Sequence, residues 1–297
     1  MRILVIGLGD IARKAYLPVL SRRPDLEIHL ATRDRAVLAE VGGAFRIAHL
    51  HGSAADALSV ASFDAAFVHA ATAAHAELVR LLLAHDVPTF VDKPLADNLR
   101  DVEALVALAE ERGTPLAMGF NRRFAPDYVA LRRSNASLIV MEKHRRAQPD
   151  LPRRVVFDDF IHVVDSLHFL APAPVRRHAI ETHVVDGMLH AITLTMAGDG
   201  FSAVGTMHRD SGLDEERVDV IGGGARHAVL NLADRIETCG TTIVSRRGDW
   251  VPVGRQRGFE AMCDDFLCAA RERRAVDAAA ILATHRVCEA IVRHAER

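Results

Sequence analysis

The sequence predicts an α/β chain in two parts. A doubly wound parallel sheet comes first, then an α+β part carrying an open, mostly antiparallel sheet. Three observations carry that expectation. Up to about residue 120, short β-branched runs alternate with segments of helical periodicity. A glycine-rich turn, Gly7-Leu-Gly9-Asp10-Ile11-Ala12, joins the first such run to the first helical segment. Beyond residue 121 the alternation stops, and longer period-two runs follow one another directly.

The first part, 1–121, has six expected strands: Ile3–Ile6, Glu27–Ala31, Arg46–Ala48, Ala65–His69, Thr89–Val91 and Leu116–Met118. Helical spacing between them, as in Ala76–Leu83 and Val102–Ala109, implies crossover connections and a parallel sheet. The second part, 122–297, opens with a short helix over Pro126–Arg133, a strand over Leu138–Lys143 and a helix over Asp158–Leu170. Alternating runs at Arg177–Val184, Leu189–Met196, Phe201–His208, Arg217–Ile221 and Ala228–Leu232 then predict antiparallel strands. Helices over Phe259–Arg273 and Asp277–Ala295 close the chain, and they are candidates to pack back on the first part.

Composition narrows the class. Of 297 residues, 49% are hydrophobic and the net charge is -2, so a large core is available and no basic excess points to nucleic acid. No apolar run is long enough to span a membrane. The opening MRILVIGLGD ends its apolar stretch at Asp10, which reads as a first strand and not a signal peptide. Cys239, Cys263, Cys268 and Cys288 have no metal-site spacing; the expectation is reduced core thiols in a cytoplasmic protein with no metal.

The turn at Gly7–Ala12 is a dinucleotide fingerprint in its proper strand–turn–helix setting. Gly7 permits a tight turn, Gly9 lets backbone approach a pyrophosphate, and Ala12 is small enough for close helix packing. Asp10 and Ile11 fall at the helix start, whose free N–H groups favour phosphate. The end of the second expected strand selects the cofactor. Thr32 carries no charge to repel a 2′-phosphate and Arg33 can pair with one, which favours NADP over NAD; Asp34 leaves NAD open as the alternative.

Asp92-Lys93-Pro94 follows the fifth strand, where open α/β sheets bind ligands, and Lys93 there can polarise a carbonyl. Asp158 and His162 lie four apart on one expected helix, an arrangement suited either to a carboxylate-oriented proton donor or to a capping carboxylate beside a structural histidine. His168 sits in an apolar stretch and reads as core. Gly222-Gly223-Gly224 lies between two alternating runs, which predicts a hairpin turn, and Asp210–Glu216 reads as a solvated loop.

Together, GLGDIA, VDKPLADN, GFNRRFAP, MEKHRR and DDFIHVVD resemble the Gfo/Idh/MocA oxidoreductases in order and spacing over essentially the whole chain, closest to the bacterial MviM-type members. The resemblance implies an N-terminal Rossmann domain and a sheet domain whose open face makes a homodimer or homotetramer. It implies a catalytic Lys93 with an Asp158–His162 pair. It places Ala71, Thr72 and His75 in the loop bordering the nicotinamide, and Asp92, Asn121 and Arg122 beside the cofactor. It further implies hydride transfer between NADP(H) and a carbonyl or alcohol carbon of a small sugar- or polyol-like substrate. An imine reductase, or an NAD(P)-binding sensor without turnover, are the alternatives. Two departures stand out: Asp92 replaces the usual glutamate, and Phe160 replaces the usual glycine two residues before His162.

Overall fold

Six parallel strands in the order β3-β2-β1-β4-β5-β6 make the first sheet: β1 (Arg2–Ile6), β2 (Glu27–Ala31), β3 (His49–His51), β4 (Ala65–Val68), β5 (Thr89–Val91) and β6 (Leu116–Met118). The structure is a computed structural model that describes all residues except Ser134, Val276 and Asp277. The central strands are buried on both faces, as sheets flanked by crossover helices require, and so read as continuous apolar runs. The first crossover passes through one π-helical turn, Ala12–Tyr16, into α1 (Leu17–Leu20). The remaining crossovers are α2 (Arg35–Phe45), α3 (Ala54–Val60), α4 (Thr72–Ala84) and α5 (Leu99–Glu111). β3 starts three residues later than its expected Arg46–Ala48. Arg46 adopts a left-handed conformation (φ 56°) and returns its N–H to Gly42 and Gly43, so it closes α2 instead of opening a strand.

The second sheet has eight strands: β7 (Leu138–His144), β8 (Val175–Val185), β9 (Met188–Gly198), β10 (Phe201–His208), β11 (Glu215–Gly222), β12 (Ala225–Leu230), β13 (Asp234–Cys239) and β14 (Thr241–Arg246). Their order is β14-β13-β12-β11-β7-β10-β9-β8. β7 and β10 pair in parallel at its centre; the other neighbours are antiparallel. The fold class expected from sequence is thus the one found. β13 and β14 were not expected, since β14 is exposed along its whole length and has no apolar alternation to reveal it. Gly223 and Gly224, both at positive φ, make the tight hairpin between β11 and β12.

A 3₁₀ turn at Asn121–Phe124 leads into α6 (Pro126–Leu131). The helix expected at Asp158 begins earlier, as α7 (Pro152–Val155) with proline in its first turn. It continues through a π-helical turn, Val156–Phe160, into α8 (Ile161–Leu170). α8 packs on β7 and β10, and Gly205 in β10 allows it: a Cβ there would sit 2.6 Å from Val163 Cγ1. α9 (Val253–Gln256), α10 (Phe259–Glu272) and α11 (Ala278–Ala295) follow; the expected start of the last helix, Asp277, lies outside the described residues.

The chain forms two compact units, Met1–Gly119 with Phe259–Leu282, and Phe120–Gly258 with Ala283–Arg297. In the first, Phe266 of α10 packs edge-on against Phe67, with ring centroids 5.1 Å apart. No described helix is long and apolar enough to cross a membrane. Cys263 and Cys288 are buried, but Cys239 and Cys268 are exposed, so only half of the cysteines are core thiols.

Candidate functional site

Two glycines shape the turn after β1 in different ways. Gly7 has φ +84° and passes so close to the neighbouring strand end that a Cβ would lie 2.4 Å from Ala70 N. Gly9 has nothing within 4 Å of where its Cβ would be. Packing therefore explains Gly7 but not Gly9; the space beside Gly9 is what a pyrophosphate approaching the backbone needs, and on this observation the turn fits a dinucleotide. Ala12 is fully buried, Ile11 is exposed, and Asp10 is occupied with Lys14 at 2.7 Å on the surface.

At the end of β2, Thr32 N–H donates to the His51 carbonyl at 3.3 Å. Asp34 is the N-cap of α2 and accepts from the N–H groups of Ala36 and Val37 at 2.9 and 3.1 Å. Its Oδ1 thus caps the helix. Arg33 is exposed and makes no bond within the described residues.

The loops after β4 and β5 are tied together by His75. Its Nδ1 lies 2.7 Å from the Pro94 carbonyl and its Nε2 2.9 Å from that of Ala70, spanning Ala71 and Thr72 at the start of α4. Asp92 Oδ1 accepts the backbone N–H of Lys93 at 2.9 Å, and the same oxygen takes Tyr16 O–H at 3.4 Å. Burial pushes the Asp92 carboxyl above its usual range despite the Lys93 ammonium. Gly119 completes this corner, since a Cβ there would come within 2.7 Å of Asp92 Oδ1. Tyr16, held in the π turn, stacks on His69 at 4.0 Å. Neither ring nitrogen of His69 has a hydrogen-bond partner, and burial lowers its pKa to about 3.

In the second unit Asp158 is exposed and His162 half-buried. Asp158 is inside the π turn and so is not an N-cap. Its neighbour Asp159 accepts from Arg145 through both oxygens (2.7 and 2.8 Å) and from Arg209 at 2.8 Å, with Lys143 Nζ at 3.3 Å. These cations outweigh burial and lower the Asp159 pKa.

Asn121 and Arg122 are buried and spent inside this unit. Asn121 Nδ2 donates to the Arg257 carbonyl at 2.8 Å, and Arg122 grips Glu216 through two bonds of 2.7 and 2.5 Å. Both side chains are therefore engaged within this unit. Glu216, expected in a solvated loop, is a buried strand residue that also accepts from Lys143 and the Tyr128 hydroxyl. Sequence reasoning missed this cluster. Its one local signal is Lys143 on the inward-facing register of β7, in line with Ile139 and Met141. His168, read as core, is half-buried with its Nε2 unpartnered.

A second missed cluster lies on the β2–β3 edge. Glu27, His29 and His49 bring ligand-type atoms within 4.8 Å of one another. The His29 and His49 rings stack 4.2 Å apart at 9°, however, so their in-plane lone pairs do not converge on one point.

Residues 1–120 match the oxidoreductase family with an NAD-binding Rossmann fold, and residues 126–238 match the YceM-like C-terminal domain. YceM of Salmonella typhimurium, named as an oxidoreductase, is 36% identical over 308 residues, covering 99% of this chain and 98% of its own. Myo-inositol dehydrogenase Hyg17 of Streptomyces leeuwenhoekii is 34% identical over 257 residues, 81% of this chain and 74% of its own. A Gfo/Idh/MocA family oxidoreductase from Vibrio cholerae superimposes with a TM-score of 0.93 at 31% identity, over 100% of both chains. The dehydrogenase MviM from Clostridium difficile gives 0.92 at 28% identity, over 99% of each. With its dinucleotide turn and this full-length likeness, the chain belongs to the Gfo/Idh/MocA family of NAD-binding oxidoreductases.

Proposed function

We propose that the protein is an NADP(H)-dependent reductase or dehydrogenase acting on a carbonyl or alcohol carbon of a small polar, sugar- or polyol-like substrate. Its phosphates would rest on the Gly7–Ala12 turn. A bound nicotinamide supplies or accepts the hydride; the chain's own side chains do the rest. His162 exchanges the proton at the substrate oxygen, Asp158 orients the imidazole, and Lys93 polarises that oxygen. Asp92 sets the backbone from which Lys93 extends. Ala71, Thr72 and His75 line the loop beside the ring.

The observation that carries the cofactor preference is the division of labour after β2: Asp34 is taken up by the α2 cap, and Arg33 is left unpaired and exposed. The substrate class is supported by the name of Hyg17, a myo-inositol dehydrogenase. The open sheet of the second unit is the surface through which a homodimer or homotetramer would form. The test is a titration of the purified protein with NADPH and NADH, followed by nucleotide fluorescence, together with a screen of polyols and sugars for reduction of NADP⁺ and NAD⁺. At least tenfold tighter NADPH binding and turnover of a polyol are expected. Equal affinities would remove the NADP assignment, and binding without turnover of any alcohol would favour a sensor.

A further inference from the structure

Buried cations outnumber buried carboxylates at one end of the second sheet. Because β7 and β10 run parallel, their C-terminal ends deliver Lys143, Arg145 and Arg209 to the same place. There, among the described residues, Arg122, Lys143, Arg145 and Arg209 form their ion pairs with Asp159 and Glu216. Glu216 already takes Arg122 and Lys143, so Asp159 faces both Arg145 and Arg209, with Lys143 Nζ a further 3.3 Å contact. Burying charge in excess of its counter-charge is costly unless another anion joins it.

One guanidinium is poised to take that anion. The Arg209 side chain is only 9% exposed. Its Nε donates to the Gln148 carbonyl and its Nη1 to Asp159, while Nη2 makes no bond within the described residues. Arg145 lies across the same carboxylate, 23% exposed. Both approach Asp159, which adjoins Asp158 and precedes His162 by three positions on the same helical segment.

We infer that Arg209 and Arg145 form an anion subsite, and that the substrate carries a carboxylate or phosphate group. The unpartnered Nη2 of Arg209 can donate to either group beside the charge of Arg145, whose Nε and Nη2 hold Asp159 and whose Nη1 reaches the His144 carbonyl, and a neutral hydroxyl would leave the excess positive charge uncompensated. This rests on the reading of Asp158 and His162 as the proton-transfer pair only for the word substrate; the subsite itself rests on the charge arrangement.

The experiment is isothermal titration of the full-length protein, at constant ionic strength, with D-gluconate, inorganic phosphate and the neutral D-glucose. It is paired with a turnover assay of D-gluconate and D-glucose using NADP⁺ and NAD⁺. Binding of gluconate or phosphate, with glucose bound at least tenfold more weakly, is expected. Arg209→Gln and Arg145→Gln should each weaken anion binding at least tenfold, and Arg209→Lys should keep part of it. Preference for gluconate identifies the carboxylate source and preference for phosphate the phosphoryl one. Circular dichroism checks that each variant is folded; should Arg209→Gln not fold, Arg145→Gln and Arg209→Lys decide. Absence of anion binding in the wild type, or equal binding in all folded variants, overturns the subsite. Turnover of glucose without anion binding overturns it while leaving the reductase reading intact. Anion binding that depends on Arg209, with no turnover of any alcohol, upholds the subsite and removes the reductase reading.

Discussion

Asp92 Oδ1 holds the backbone N–H of Lys93 at 2.9 Å, so the carboxylate beside the lysine acts on the main chain that carries it. Asp92→Ala is expected to lower turnover roughly ten- to a hundredfold through misplacement of Lys93. Asp92→Asn, which keeps an accepting oxygen, should retain most activity. NADPH affinity should stay within about twofold in both, since neither touches the Gly7–Ala12 turn. Steady-state kinetics beside nucleotide titration will check this; equal losses in both variants would show that charge, and not the hydrogen bond, is what matters.

Proton transfer by a positioned side chain is worth about 10²–10⁴-fold. His162→Asn should therefore cost at least a hundredfold in kcat and leave NADPH binding nearly unchanged. Asp158→Asn should shift the pH profile of kcat as well as lower it. Unaltered kcat in His162→Asn would sink the assignment of the proton donor.

Arg33 and Asp34 are adjacent but predicted to fail differently. Arg33→Ala should erase the preference for NADPH with no change in the melting temperature. Asp34→Ala removes the α2 cap and should cost about 1 kcal/mol of stability while leaving cofactor preference in place. Thermal melts and the two titrations separate these outcomes. A shift toward NADPH in Asp34→Ala would show that the carboxylate also reads the ribose.

Glu216 is the shared acceptor of Arg122, Lys143 and Tyr128. Glu216→Gln removes the charge that compensates two buried cations, and a loss of about 3–5 kcal/mol is expected. Urea denaturation measures it. A loss below about 1 kcal/mol would mean that water reaches this cluster.

Burial holds His69 to about 3 and His168 to about 4, well under the ordinary 6.5. The unfolded chain takes up these protons below pH 6.5 and the folded chain does not. Stability is therefore complete above about pH 6.5 and falls as the pH drops toward 4 and then 3, by up to about 1.4 kcal/mol per unit per histidine. His69→Phe keeps the stacked ring without the unpartnered nitrogens. Its urea midpoint should fall less steeply between pH 7 and 4.5 than that of the wild type. Parallel slopes would show that His69 does not carry the acid sensitivity.

Much of this architecture was legible because its signals are local. A buried parallel strand must be apolar over successive residues, and a tight turn against a strand end must be glycine; Ile3–Ile6 and Gly7 therefore declare themselves within a few positions. The same holds for the hairpin at Gly223-Gly224 and for the position of Lys93 after β5. β13 and β14 escaped because strands lacking an apolar face leave no periodic trace.

What the sequence by itself determined was the fold class, the glycine turn after the first strand and the family. Only the tertiary structure decided which charges are spent and which are free. Arg122 meets Glu216 across 94 positions, Arg209 meets Asp159 across 50, and Asp34 turns inward to its helix while Arg33 does not. Periodicity reports the face on which a residue lies. Ion pairs depend on which faces meet, and that is settled only when the strands take their order in the sheet.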